Sequence, residues 1–266
     1  MHPVRRKRFR LIIVALLLFP TVGFGWEENA KIAELFHNAN VDGTFILYDM
    51  TGNAFIGYNQ TRTETRYIPA STFKIANALI GLSSGVVKSV DEPLPYKGPA
   101  KPFIPEWGHD MGLCRAIAIS NVPIYQELAR RIGLERMRAG LVKLHYGNEE
   151  TGKVVDRFWL DGPLKISALE QVEFLTGLVQ NRLPLPKQVQ ESVREILLLE
   201  EGADWKLYGK TGWQNAPNNG VGWLVGWLEK KGHFYVFALN IDIKKPSDAK
   251  ERVKLAKASL KLLGLI

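Results

Sequence analysis

The chain has 266 residues, of which 46% are hydrophobic and 23% are charged, and its formal net charge is +8. The single cysteine excludes an intramolecular disulfide, so stability has to come from a packed core, which a chain of this length and apolar content can form.

The N-terminal residues have the composition of a secretory signal peptide. Five basic residues precede an apolar run, Leu11 to Phe19, and Gly23 and Gly25 stand at positions −3 and −1 before Trp26. The run is shorter than the roughly 20 residues that cross a bilayer, which favours cleavage over an uncleaved anchor. We therefore expect residues 1–25 to be removed and the protein to be periplasmic or secreted, without stable membrane association.

Cleavage also changes the charge. It would remove five of the 35 basic residues and no acidic one, which leaves a net charge of +3. The remaining lysines and arginines form no run, so the sequence predicts no nucleic-acid partner.

Secondary structure begins with a helix predicted over Glu27 to Ala39. Two strands follow, Thr44 to Asp49 and Ala54 to Tyr58, and Thr51-Gly52-Asn53 between them is a hairpin signal.

From residue 71 to about residue 200 the pattern is mostly helical. It is clearest over Ile117 to Ile132 and over Ala168 to Leu183. Cys114 lies in the apolar stretch Met111 to Ile119, which predicts a buried packing role rather than a nucleophile.

The C-terminal part returns to strands, rich in aromatic and aliphatic residues, and ends with a helix. The predicted strands are Lys206 to Gly212, Val221 to Leu228 and Phe234 to Ile241, and the helix is Ala249 to Leu263.

Strands at both ends with helices between them predict an α+β fold. We expect one antiparallel sheet built from both chain ends and flanked by helices, with an inserted all-helical lobe. In a single domain over 26–266, the sheet lobe would cover about 26–70 and 200–266, and the helical lobe about 71–199. A cleft between the lobes is the expected place for a site.

Ser71-Thr72-Phe73-Lys74 is the first chemical motif. It follows Pro69 and precedes apolar residues at helical spacing, so Ser71 Oγ and Lys74 Nζ can share a helix face beside the helix N-terminus. Serine attacks only when a base takes its proton, and lysine is a base only when burial lowers its pKa or when it is chemically altered. The motif alone is weak, because Ser247-Asp248-Ala249-Lys250 has the same spacing; we interpret that copy as an exposed helix start.

Lys210-Thr211-Gly212 is the second motif and lies on a predicted strand. Gly212 would let a ligand lie against the strand edge, while Lys210 and Thr211 offer a cation and a hydroxyl to a carboxylate. Alone, this tripeptide is an ordinary strand end. The order of the two motifs around a helical lobe resembles the penicillin-recognising serine enzymes.

Ser120-Asn121-Val122 lies between the two motifs and distinguishes the branches of that superfamily. Penicillin-binding proteins and class A β-lactamases carry asparagine where this chain has Val122. The complete set resembles the class D, oxacillinase-type serine β-lactamases over nearly all of the mature chain. The other matching segments are Trp107, Tyr146-Gly147-Asn148, Trp159-Leu160, Trp223-Leu224-Val225-Gly226-Trp227 and Arg252.

An apolar pocket around Lys74 is expected from Phe73, Val122, Trp159 and Leu160. Burial favours the neutral amine, which can react with CO₂ to give a carbamate. The resemblance implies that carbamylated Lys74 is the general base and that Trp159 donates its indole N–H to the carbamate. Ordinary core packing of the same apolar residues remains compatible, because both interpretations require burial. CO₂ or bicarbonate would be needed, and no other cofactor and no metal is expected.

The resemblance also implies a reaction: hydrolysis of the β-lactam amide bond of penicillins through a Ser71 acyl-enzyme, conferring antibiotic resistance. The backbone N–H groups of Ser71 and Trp213 would form the oxyanion hole, and Ser120 would relay a proton to the lactam nitrogen. Lys210, Thr211 and Arg252 would anchor the substrate carboxylate. Residues 213–220 would form the specificity loop.

The sequence also bears on several alternatives. A cell-wall transpeptidase or a penicillin-sensor domain would share the acylation step without rapid deacylation; Val122 and Trp159 argue against the transpeptidase. Gly81 to Gly85 fits a Gly-x-Ser-x-Gly elbow, but it follows a predicted helix rather than a strand, so Gly81 and Gly85 are interpreted as helix-ending glycines. The five histidines are dispersed, which argues against a zinc enzyme.

The oligomeric state does not follow from the sequence, which is compatible with a monomer and with a homodimer.

Overall fold

A computed structural model describes residues 25–214 and 220–266, so nearly all of the predicted signal peptide and residues 215–219 of the predicted specificity loop lie outside it. Within these ranges the chain forms seven strands and nine α-helices. The strands are β1 (Trp26–Glu28), β2 (Gly43–Asp49), β3 (Ala54–Tyr58), β4 (Leu198–Glu201), β5 (Trp205–Trp213), β6 (Gly220–Lys230) and β7 (His233–Ile243). The helices are α1 (Ala30–Ala39), α2 (Gln60–Glu64), α3 (Lys74–Ser83), α4 (Leu113–Ala118), α5 (Val122–Ile132), α6 (Leu134–Leu144), α7 (Ala168–Val179), α8 (Lys187–Glu195) and α9 (Glu251–Leu262).

The strands form a single sheet in the order β1-β3-β2-β7-β6-β5-β4. Strand β2, from the start of the chain, pairs with β7, from its end, which confirms a sheet built from both chain ends. Every pair is antiparallel except the edge pair β1–β3, which is parallel. The predicted fold class is therefore correct, with one parallel pair added at the edge.

The two edge strands were not predicted. Glu27 and Glu28 were assigned to the first helix, but Asn29 caps α1 by accepting the N–H groups of Lys31 and Ile32, so the residues before it lie outside the helix and pair with β3. Strand β4 reads Leu-Leu-Glu-Glu and is exposed throughout, so it lacks the alternation that marks a half-buried strand.

Helices cover both faces of the sheet. On one face α1 and α9 pack through Ile32, Phe36 and Leu260 against the aromatic pair Phe45 and Phe237. On the other face α7 packs on β2 and β7, and the remaining helical segment continues the same core. Burial on both faces explains why β6 and β7 read as nearly continuous apolar runs.

Helix α3 runs through the middle of the helical segment, and every residue from Lys74 to Gly81 is buried. Gly81 lies inside the helix, where a Cβ atom would approach Leu128 Cδ1 to 2.7 Å, so its interpretation as a helix-ending residue is wrong. Gly85, with φ +69°, follows the end of the helix as expected.

The single helix predicted over Ile117 to Ile132 is also wrong, because α4 ends at Ala118 and α5 begins at Val122. Ser120 has φ +56°, and the Asn121 side chain accepts the N–H of Ile124 as an N-cap. An N-cap with proline in the first turn starts a new helix, and apolar periodicity does not register such a break.

Cys114 is exposed, which contradicts the predicted packing role. The short helix α4 lies at the surface and buries Leu113, Ala116 and Ile117 instead. The apolar stretch therefore has one buried side, and the cysteine lies on the other.

Candidate active site

Ser71 lies in a 3₁₀ turn, Ala70–Phe73, that leads directly into α3. Residues three apart eclipse one another in such a turn, and Lys74 Nζ donates a hydrogen bond of 2.7 Å to Ser71 Oγ. Ala70 has φ +48°, a left-handed conformation that alanine rarely adopts, and this marks strain directly before the serine. The serine and lysine predicted from their spacing are thus in direct contact.

Lys74 is fully buried, with 0% of its surface exposed. Burial holds the pKa of its amine well below the usual value, and the positive charge of nearby Lys210 lowers it further. Within residues 25–214 and 220–266 no carboxylate forms an ion pair with Lys74; the Tyr125 ring centroid lies 5.5 Å from Nζ. Such surroundings favour the neutral amine.

An aromatic cluster surrounds Phe73, the residue next to Lys74. The ring centroids of Phe158, Trp159 and Tyr146 lie 5.1, 5.3 and 5.6 Å from that of Phe73. Trp159 is fully buried, and its Nε1 has no hydrogen-bond partner among the described atoms. A buried donor without an acceptor costs about 1–3 kcal/mol, so this N–H is free for an acceptor that enters the pocket.

The other two predicted pocket residues lie at the margins of this cluster. Val122 begins α5 and lines the same cavity as Ser71. Leu160 is partly buried and packs against the core that contains Phe73 and Trp159.

Tyr146-Gly147-Asn148 fastens the segment that carries Trp159. Gly147 has φ +59°, and a Cβ atom there would lie 2.1 Å from the carbonyl oxygen of Lys165, so only glycine fits. Asn148 accepts the N–H of Lys165 at 2.8 Å and donates to the carbonyl of Pro163 at 3.0 Å. These bonds join the two ends of the segment that contains Trp159.

Strand β5 passes directly against the Ser71 turn at Gly212. A Cβ atom at this position would lie 2.9 Å from the carbonyl oxygen of Pro69. The N–H of Gly209 donates to the carbonyl oxygen of Leu197, the residue before β4. The N–H of Gln214 donates to the carbonyl oxygen of Val221, on β6. Because N–H directions alternate along a strand, the Trp213 N–H points the same way as that of Gly209, to the edge that β6 does not cover.

Two basic residues, Lys210 and Arg252, are buried or partly buried near this strand edge; Arg252 lines the same cavity as Ser71, whereas Lys210 lies next to Thr211, which lines it. Lys210 is buried and donates to the carbonyl oxygen of Thr211 at 3.1 Å and to its Oγ1 at 3.3 Å. Burial, together with the charge of Arg252, lowers the pKa of Lys210 to about 7. Arg252 lies in the first turn of α9; burial lowers its pKa, and its Nε has no hydrogen-bond partner among the described atoms. The arrangement is electropositive and retains a donor for an anion.

A cavity of about 280 Å³ brings most of the predicted residues together. Those that line it are Ser71, Ser120, Val122, Thr211, Gly212, Trp213 and Arg252. Lys74 reaches it through its hydrogen bond to Ser71, whereas Phe73, Trp159 and Leu160 belong to the core behind it.

Two lining residues, Phe103 and Ile104, were not predicted. Phe103 is 80% exposed and lies 6.2 Å, between ring centroids, from Trp107, which also lines the cavity. Trp107 Nε1 donates to the carbonyl of Ile119, which ties this wall to the Ser120 turn. The only signal in the sequence is an aromatic residue within a proline-containing segment.

No group of three histidine, cysteine, aspartate or glutamate side chains is placed to hold a metal ion in the part of the chain that the structure describes.

Comparison with known proteins identifies the family. The family model of the penicillin-binding protein transpeptidase domain matches residues 43–261. β-Lactamase OXA-10 of Pseudomonas aeruginosa is 36% identical over 258 residues, covering 96% of this chain and 97% of the relative. Probable β-lactamase YbxI of Bacillus subtilis is 41% identical over 203 residues, covering 76% and 75%.

The solved structures agree. The crystal structure of FUS-1 (OXA-85), a class D β-lactamase from Fusobacterium nucleatum subsp. polymorphum, matches with a TM-score of 0.87 and 44% identity, covering 90% of this chain and 100% of that one. A class D β-lactamase from Sebaldella termitidis matches with a TM-score of 0.86 and 30% identity, covering 91% and 99%. The chain belongs to the penicillin-binding protein transpeptidase family and is a class D serine β-lactamase.

Proposed function

We propose that this enzyme opens the β-lactam ring of penicillins through an acyl-enzyme on Ser71, with carbamylated Lys74 as general base, and thereby confers antibiotic resistance. The observation that carries the proposal is the buried amine of Lys74, 2.7 Å from Ser71 Oγ and without a carboxylate partner among the described side chains. A lysine in that state is neutral, which is the form that reacts with CO₂.

The surroundings of Lys74 suit a carbamate. Its lowered pKa supplies the nucleophilic amine, and the Trp159 Nε1–H, buried without a partner among the described atoms, can donate to an anionic oxygen. Bound to Lys74 Nζ, CO₂ supplies an oxygen anion that accepts protons near neutral pH. Val122 contributes an apolar wall that keeps water away from that anion.

In the acylation step, Ser71 Oγ attacks the lactam carbonyl carbon while its proton passes to carbamylated Lys74. An Oγ–C bond forms, the C–N bond of the ring breaks, and Ser120 relays the proton to the departing nitrogen. The N–H groups of Ser71 and Trp213 stabilise the oxyanion, as expected of donors at the start of a helix and at a strand edge.

Substrate binding relies on charge. Lys210 and Arg252 supply cations and Thr211 a hydroxyl for the carboxylate of the substrate. Arg252 Nε, which has no hydrogen-bond partner among the described atoms, can contribute to a bidentate grip. In the deacylation step, water would attack the ester carbon while the Lys74 side chain, whose carbamate would supply the basic oxygen, takes its proton. The C–Oγ bond would then break, and Ser71 Oγ would take that proton back from Lys74.

The test joins mass spectrometry with carbon-13 NMR. Penicillin should add its own mass to the protein at Ser71, and labelled bicarbonate should give a carbamate signal that Lys74→Ala removes and Lys250→Ala leaves unchanged. A bicarbonate-independent enzyme without that signal contradicts the carbamate. Acylation of one equivalent without multiple-turnover hydrolysis of a chromogenic cephalosporin indicates a sensor or transpeptidase instead.

We further propose that cleavage before Trp26 releases a single catalytic domain, residues 26–266, into the periplasm or medium. None of the described helices is both long and apolar enough to cross a bilayer. N-terminal sequencing of the exported protein tests the cleavage site; retention of residues 1–25 contradicts it.

A further inference from the structure

Trp223 joins the two walls of the cavity. It lies on β6 directly opposite Gly212 of β5, the residue that contacts the carbonyl oxygen of Pro69. Trp223 is fully buried, and its Nε1 donates a hydrogen bond of 2.9 Å to the carbonyl oxygen of Ile68. A single side chain of β6 thus connects the sheet, next to Gly212, to the backbone at Ile68, three residues before Ser71.

A second set of contacts holds the same backbone. The Tyr67 ring packs edge-on against that of Trp223, with centroids 6.5 Å apart and planes at 73°. The Arg62 guanidinium lies 4.7 Å from the centroid of the Tyr67 ring. Arg62 is itself fixed to β7, by hydrogen bonds of 2.7 Å to Asn240 and 2.6 Å to Asp242. Tyr67 and Ile68 are therefore held by β6, through Trp223, and by β7, through Arg62.

The turn that follows needs such support. Ala70, between Ile68 and Ser71, has φ +48°, a left-handed conformation that is strained for alanine and persists only where the surroundings impose it. Release of the Ile68 carbonyl would let this strained residue relax and would move the backbone N–H of Ser71.

We propose that Trp223 is a positioning residue whose hydrogen bond to Ile68 sets the distance between the N–H groups of Ser71 and Trp213. This inference rests on the proposed acyl-enzyme, because it assigns Trp223 an effect only through the oxyanion that these two groups stabilise. A donor misplaced by about 1 Å can cost about 100-fold in rate. Trp223 is not among the residues that line the cavity.

The experiment compares Trp223→Phe with Trp227→Phe. Phenylalanine keeps an aromatic ring at position 223 but removes the N–H donor together with part of the buried indole. Trp227 is on the same strand, is buried and stacks on Tyr208 at 4.9 Å between ring centroids, so its replacement is a matched loss of packing elsewhere in the sheet.

In Trp223→Phe we expect the acylation rate constant to fall by about 10- to 100-fold. The inhibition constant of a boronic acid that mimics the tetrahedral intermediate should rise by the same factor. Penicillin affinity in a Ser71→Ala background and the carbamate signal of Lys74 should be unchanged. Trp227→Phe should leave acylation and boronate inhibition as they are in the wild type.

Equal losses in boronate and penicillin affinity, or no loss in acylation, overturn the inference. If Trp223→Phe does not fold, Tyr67→Leu removes the ring that packs on the indole and should give the same selective loss with a smaller factor. Absence of Ser71 acylation in the wild type removes the proposed function itself. Normal wild-type acylation without the selective loss removes only the role of Trp223.

Discussion

The sequence Ser-x-x-Lys occurs twice in this chain, and the two copies have similar local structure but different surroundings. Ser71 and Lys74 lie at the 3₁₀ turn Ala70–Phe73, and Ser247 and Lys250 lie in another, Pro246–Lys250. Lys74 is buried and bonded to Ser71 Oγ, whereas Ser247 and Lys250 are exposed and line a charged surface groove of about 480 Å³. Spacing brings the pair together in the chain, but burial makes the lysine a candidate base.

The residues around each copy explain the difference. The first is followed by a mostly apolar stretch, in which Asn77 is also buried, and this stretch forms helix α3. The second precedes α9, whose lysines recur on its outer side, and Asp248 accepts the N–H groups of Lys244 and Lys245. The second copy therefore serves to begin a surface helix.

Replacement of the two serines should give the largest difference in penicillin hydrolysis between the two copies of the motif. Ser71→Ala removes the attacking oxygen, so we expect penicillin hydrolysis to fall by at least about 10⁴-fold and the acyl adduct to disappear. Ser247→Ala should leave both unchanged. Hydrolysis rates and intact mass after penicillin treatment measure this; an adduct retained in Ser71→Ala would place the nucleophile elsewhere.

Replacement of the two lysines should give the second largest difference in hydrolysis. Lys74→Ala removes the proposed general base, and we expect a loss of about 10²- to 10⁴-fold in hydrolysis, while Lys250→Ala stays near wild type. Wild-type activity should also fall when bicarbonate is stripped and return when it is restored. An enzyme indifferent to bicarbonate would have a neutral lysine, rather than a carbamate, as its base.

Trp159 should have a smaller effect on the same base. A hydrogen bond to a charged group contributes about 1.5–3 kcal/mol, so Trp159→Phe should raise the bicarbonate concentration needed for half-maximal activity by roughly 10- to 100-fold. Deacylation should slow more than acylation. Trp205→Phe, on β5, serves as the control, and slowing confined to acylation would contradict the proposed role.

The smallest effect concerns pH. Because the pKa of Lys210 is about 7, its positive charge is present below that pH and is lost above it. KM for penicillins should therefore rise through pH 7 to 8 by up to about 10-fold, the contribution of a charge-assisted hydrogen bond. Lys210→Gln should show a high KM at every pH, and the exposed Lys206→Gln should retain the wild-type profile. A rise that persists in Lys210→Gln assigns the titration to another group.

Much of the fold follows from local pattern. The strands at both ends and the helices between them were predictable because their periodicity is set by which face is buried. The break at Ser120 was not, since it depends on an N-cap and a left-handed residue inside an apolar run. The exposure of Cys114 was missed for a related reason: an apolar stretch does not reveal which of its sides faces the core.

The residues of the candidate site also fall into those that local spacing predicts and those that it does not. Ser71 with Lys74, and Thr211 with Gly212, were predictable because each pair depends on short-range spacing. Phe103 and the donor role of Trp223 depend on contacts between distant segments, which a single sequence does not encode locally.

Gly212 has a consequence for how the enzyme can change over generations. The strand and the nucleophile turn meet there with no room for even one methyl group, since a Cβ atom would lie 2.9 Å from the carbonyl of Pro69. Substitution of Gly212 is therefore blocked. Adaptive substitutions should accumulate across the cavity, around the exposed Phe103, where new volume can be gained without disturbing the reacting atoms.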